Sequence, residues 1–269
     1  MRFNTFWTRA AVTLGALLGM AALPASADPI FGPEVYVRTS GSPDVYSDNF
    51  NSAFAGTAYM WVLNGDEGGS RVSDGLVVFN GKTVATAADF GKTVAYFVKP
   101  VTLLSATPNN VSVTLNSDPG SFITIVIVKA GLPDISVGRL IVPWTSSTNL
   151  VLDLKNGSHQ HDRILRILVY DNSGTNNAGN VVASSDRKVI GPAGALADTA
   201  ANLITNGTWT NGSIEIFYAG RGPARLFGES VQTDPTTSVQ TIVNMQHAGH
   251  RRIDPSRHTP DSGNAAPIG

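Results

Sequence analysis

His159-Gln160-His161-Asp162 is the segment whose residue types and spacing best suit metal binding. On an extended backbone, residues two apart point to the same side, so His159 and His161 reach one cation together. Asp162 adds a carboxylate, as ligand or as partner to a ring N–H. The stretch Asn156 to Asp162 nevertheless reads as an exposed loop, and flexible loops hold ligands poorly. Calcium is the second cation to consider. Asn64, Asp66 and Glu67 cluster in one loop, and Asp171, Asn172, Asn176, Asn177 and Asn180 in another. Calcium takes about six to eight oxygens and prefers carboxylates to amides, so the first loop is the better offer. Neither loop has EF-hand spacing. No cofactor is required, and calcium is the one the sequence leaves open.

Sugar recognition calls for flat rings beside hydrogen-bonding groups. Trp144 follows Pro143 at a strand end, and Trp209 lies between Asn206-Gly207 and Asn211-Gly212. Both could meet solvent at loop ends, although packing in a core or rim is the commoner fate of a tryptophan, and Trp61, mid-strand, reads as core. Arg221 and Arg225 flank a tight turn and complete the set of candidate ligand contacts. Arg71 and Arg163 sit where a loop enters a long strand, a place where a guanidinium fork ties down loop carbonyls.

Composition closes off other chemistries. The 269 residues carry no cysteine, which removes disulfides, thiolate metal sites and a Cys nucleophile. Only 14% are charged and the formal charge is -1, so nucleic acid is not an expected partner. There is no G-x-S-x-G elbow, no H-E-x-x-H and no phosphate-binding glycine loop at a strand–helix junction. The four glutamates, Glu34, Glu67, Glu215 and Glu229, are too scattered for an evident glycosidase pair. A non-catalytic role is the expectation. A secreted hydrolase or metal-dependent enzyme on a β scaffold is the alternative.

The elements that would carry these residues are strands. Strand signals recur about every ten residues between Gly, Asn and Pro, which predicts a β-sandwich or barrel. Asn80-Gly81 joins two apolar runs and predicts a type I′ hairpin. Within Ser121–Lys129, the run Phe122–Val128 is apolar on both parities and predicts a strand covered on both faces; such a strand at an edge would pair with a second copy. Ala193–Leu203 alone reads as helical.

Residues 1–27 read as a signal peptide. Arg2 and Arg9 precede an apolar run from Ala10 to Leu23, and Ala25-Ser26-Ala27 is a small-x-small cleavage box. The run is short for a membrane span, so the mature chain is expected to be secreted, with no transmembrane segment. Gly131-Leu132-Pro133-Asp134 breaks the pattern and divides residues 28–130 from 131–232. Residues 233–269 are rich in Pro, Ser, Asp and His, which predicts a disordered tail.

The two parts match in spacing. Asn64-Gly65, Arg71-Val72, Leu76-Val77 and Asn80 recur as Asn156-Gly157, Arg163-Ile164, Leu168-Val169 and Asn172. The matching offsets point to an internal repeat. The string Asn64-Gly65-Asp66, Arg71-Val72-Ser73, Val77-Val78-Phe79-Asn80-Gly81, Asp89-Phe90, Val101-Thr102-Leu103, Leu115 and Pro119-Gly120-Ser121 resembles an immunoglobulin-like sandwich module of bacterial extracellular and cell-surface proteins. The resemblance covers about residues 35–128 and implies a module without a catalytic motif, appended to varied partners. The expected architecture is therefore all-β, two tandem immunoglobulin-like β-sandwich domains with a disordered C-terminal tail. The expected partner is a cell-surface polysaccharide or protein.

Overall fold

A computed structural model describes residues 26–171 and 180–255. The first half holds β1 (Pro29–Val37), β2 (Asp44–Phe50), β3 (Gly56–Asn64), β4 (Gly75–Phe79), β5 (Lys82–Ala85), β6 (Tyr96–Leu103), β7 (Asn109–Leu115) and β8 (Phe122–Val128). The second holds β9 (Ile135–Ser146), β10 (Leu150–Asn156), β11 (Arg163–Asp171), β12 (Asn180–Ser184), β13 (Lys188–Ile190), β14 (Ala195–Thr199), α1 (Ala200–Leu203), β15 (Asn206–Gly207), β16 (Asn211–Arg221), β17 (Leu226–Thr233), β18 (Gln240–Asn244) and β19 (Gln246–Ile253). The protein is all-β, with antiparallel sheets, as its turn spacing predicts. Asn80 and Gly81 both take positive φ, 48° and 76°, in the tight turn between β4 and β5.

Four sheets account for the strands. The first half forms β1-β8-β3-β6 and β2-β7-β4-β5. The second forms β14-β10-β17-β18 and β15-β12-β11-β16-β9-β19, with β13 also beside β11. Strand alternation decides which faces meet. Ile123, Ile125 and Ile127 of β8 enter a core with Val111, Val113 and Leu115 of β7 in the opposite sheet. Phe122, Val126 and Val128, on the other face of β8, join Val137 of β9, Leu168 of β11 and Phe217 of β16. A third core sets Leu152 and Leu154 of β10 against Leu165, Ile167 and Ile216. The sheets thus stack as four layers with three apolar interlayers. All seven residues of β8 are buried, which explains its apolar character on both parities. Lying between β1 and β3, β8 offers no edge to a second copy.

The expected immunoglobulin order is not the order of these sheets. That fold pairs the second strand with the fifth. Here β2 pairs with β7, and the first and last strands of the half, β1 and β8, lie side by side. The order is that of an eight-strand jelly roll. Alternation and turn spacing are common to every antiparallel sandwich and carry no record of which strands become neighbours. Connections between the sheets decide that.

The second half reproduces the first pairing for pairing. β3 lies between β6 and β8, and β10 between β14 and β17; β4 lies between β5 and β7, and β11 between β12 and β16. β2 beside β7 corresponds to β9 beside β16. β13, β15 and β19 are additions without a counterpart in the first half, and one strand differs in origin. The place of β1, next to β8, is filled in the second half by β18, which follows its sheet in the chain.

Two further expectations need correction. Residues 240–253 are not a disordered tail: β18 pairs with β17, and β19 pairs with β9. Both are edge strands, and the polar side chains that hid them from the sequence pattern face solvent or hydrogen-bonding partners. Residues 256–269 of that tail lie outside the described residues, as do residues 1–25 of the leader. Of Ala193–Leu203, only Ala200–Leu203 is helical. Among the described residues, no helix is long and apolar enough to cross a membrane.

Candidate functional site

The two candidate cation loops place their side chains in different surroundings. His159 and Asp162 are exposed in the loop leaving β10, and His161 is half-buried. Ser158 Oγ organises this loop, accepting from the N–H groups of Gln160 and His161 at 3.3 and 3.0 Å. Burial, then the nearby Arg221 and Arg163, hold the His161 imidazole below its usual pKa. Among the described residues, no three His, Asp or Glu side chains gather as a metal's ligand set.

Asp66 and Glu67 point to different surroundings. Glu67 is exposed, while Asp66 is fully buried and accepts from Arg139 Nε of β9 at 2.7 Å. Arg139 also donates to Glu215 Oε1 at 3.2 Å, and Tyr170 Oη donates to Glu215 Oε2 at 3.1 Å. Burial works against the Arg139 charge, but Asp66 and Glu215 together raise its pKa above the ordinary value. Gly249 of β19 allows this fit, since a Cβ there would lie 2.3 Å from Asp66 Oδ2. Asp66 therefore joins the two halves, with a cavity of about 310 Å³ alongside, lined by Arg139, Tyr170 and Glu215. Of the second loop, Asn172, Asn176 and Asn177 lie outside the described residues.

The arginines divide by burial. Arg163 is fully buried and donates to the carbonyls of Asp162, Arg221 and Ala224 at 3.0, 3.0 and 2.6 Å. Arg71, its counterpart, donates to Lys92 O at 2.8 Å. Both do the loop-tying work their position suggests. Arg221 is half-buried and pairs with Asp28, and Arg225 is exposed. Neither lines the groove beside Trp144.

Trp144 and Trp209 have opposite fates. Trp209 is partly buried against the core of the second half. Trp144 is 53% exposed and stands at the wall of a groove of about 860 Å³. One wall is the end of β9, from Val142 to Ser146; the other is the β17–β18 hairpin, with Gln232, Asp234, Thr241 and Val243. In antiparallel pairs, partners face the same side, so Ser230 opposite Val243 and Gln232 opposite Thr241 present one surface to the groove. Thr145 Oγ1 donates to Gln232 Oε1 at 3.0 Å and links the walls. Asp234 fixes the hairpin turn by accepting from the N–H groups of Thr236 and Thr237 at 2.7 and 2.9 Å. These backbone bonds, Thr237 first, hold its carboxyl below the usual range. The groove lining holds hydroxyls, amides, Trp144, three valines, two prolines and one carboxylate, and neither Lys nor Arg.

Half of this groove comes from the segment read as a tail. The signal for it lies in Thr241-Ile242-Val243, a β-branched run after the turn-forming Asp234-Pro235-Thr236-Thr237.

No family model and no curated protein matches the chain. Among solved structures, an anti-sigma factor domain-containing protein aligns over 81% of this chain and 90% of its own length, at 9% identity and a TM-score of 0.24. At that score the likeness carries no argument about fold or role.

Proposed function

We propose that this chain is an exported, non-catalytic protein of two β-sandwich domains related by duplication, and that it binds a neutral polysaccharide in the Trp144 groove. One observation carries the reading: a tryptophan 53% exposed beside a groove whose lining sets hydroxyl and amide groups among apolar side chains. An indole plane left in water costs hydrophobic free energy, and a pyranose face covers it well. Thr and Gln side chains then meet the sugar hydroxyls. The groove volume falls in the range of small-ligand sites.

The absence of Lys and Arg from the lining favours neutral sugars over acidic ones. Export rests on the leader, with Arg2 and Arg9, the apolar run and Ala25-Ser26-Ala27. Duplication rests on the shared pairing of the two halves. The experiment is retention of the mature chain, residues 28–269, on cell-envelope and neutral polysaccharide fractions. Binding competed by soluble oligosaccharide supports the reading. Passage through every fraction at low salt defeats it.

A further inference from the structure

Among the described residues, the edges of the sheets are guarded, with one exception. A free strand edge invites pairing with another chain, and proline, charge or extreme shortness prevents it. Pro33 in β1, Asp48 in β2, Lys82 in β5, Pro100 in β6, Asp198 in β14 and Arg252 in β19 do so here, and β15 has two residues. β18, Gln240-Thr241-Ile242-Val243-Asn244, has neither charge nor proline. All five of its residues are exposed, Ile242 to 58% and Val243 to 36%, with Val239 just before it at 61%.

We propose that β18 pairs antiparallel with β18 of a second copy of this chain. The segment is complementary to itself. Centred on Ile242, the pairing sets Ile242 against Ile242, Thr241 against Val243 and Gln240 against Asn244. β-branched residues then face each other at the centre, and amide faces amide at the rims. No like charges meet, so nothing in the strand opposes its own copy. The four-stranded sheet β14-β10-β17-β18 becomes a sheet of eight. A dyad normal to that sheet keeps both Trp144 grooves on one face, where a polymer engages both and gains avidity. The pairing does not depend on what the groove binds; the bivalence rests on the polysaccharide reading.

One strand pair is a small interface, below the usual ~1,200 Å² of stable complexes, so a concentration-dependent dimer is expected. Sedimentation velocity of the full mature chain, without sugar, tests it. The wild type doubles its mass as concentration rises to about 0.5 mM, in keeping with a weak interface. Ile242→Lys and Ile242→Glu each stay monomeric with an unchanged circular dichroism spectrum, because residue 242 is exposed. Mixing the two variants restores the dimer, since opposite charges then meet at the dyad. A wild-type chain that stays monomeric overturns the pairing and leaves the edge to a strand of another protein. Variants that still dimerise alone, or a mixture that stays monomeric, overturn the register.

Discussion

Asn64 and Asn156 perform one task in two places. Each ends its strand, β3 or β10, and each side chain is buried. Asn64 Nδ2 donates to Val72 O at 2.9 Å and Gly91 O at 3.2 Å. Asn156 Nδ2 donates to His161 O at 2.8 Å and Gly191 O at 2.9 Å. In both halves one amide ties the loop entering the next strand to the loop that follows the neighbouring hairpin. The repeated Asn-Gly pair is thus a buried brace, and the glycine lets the chain leave it: Gly65 has φ 66°, and a Cβ there would meet Gly69 O at 2.3 Å.

The braces predict a stability loss. Removing either amide leaves buried carbonyls without donors, each worth about 1–3 kcal/mol. Asn64→Ala and Asn156→Ala are each expected to lower unfolding free energy by about 3 kcal/mol in urea titrations. A loss under about 1 kcal/mol for both would mean that water replaces the brace.

At the seam, Arg139→Met strands the buried Asp66 carboxylate. Breaking a buried pair from one side costs about 3–5 kcal/mol. The double variant Asp66→Asn/Arg139→Met removes the charge as well and is expected to recover a large part of that loss. Additive losses in the double-mutant cycle would show the two side chains to be uncoupled.

Glu34 predicts a pH dependence. Burial raises its pKa above the usual 4.5, outweighing the attraction of Arg187, whose Nε lies 2.7 Å away. The folded state therefore holds the proton more tightly than the unfolded chain does. Its contribution to stability is full below pH 4.5 and falls as pH rises through the raised folded value. Across that window, melting temperatures of the wild type are expected to fall relative to those of Glu34→Gln. A relative rise with pH would mean that Arg187 dominates and the carboxyl is depressed.

Much of the fold is legible in the residues. The double-sided apolar run Phe122–Val128, the Asn80-Gly81 hairpin and the matched Asn-Gly pairs each report a local constraint, and each corresponds to a structural feature. Strand order is not local. The jelly-roll neighbours β1 and β8 are set by connections that leave no periodic trace. β18 is hard to read for a related reason: an edge strand exposed throughout shows no burial alternation. The site was half visible. Trp144 reads correctly as a strand-end aromatic, but its opposing wall lies almost 90 residues away in the polar segment. Nor does local sequence show the pairing of Asp66 with Arg139, which belongs to the other half of the chain.

The most direct measurement is affinity electrophoresis of the wild type and Trp144→Ala through gels carrying neutral polysaccharide. Residue 144 is exposed, so the variant is expected to fold and to melt as the wild type does. Retardation of the wild type by at least one polysaccharide is expected, with a dissociation constant at least ~10-fold weaker for the variant, about 1.4 kcal/mol. Equal retardation of the two would contradict the groove as the binding site.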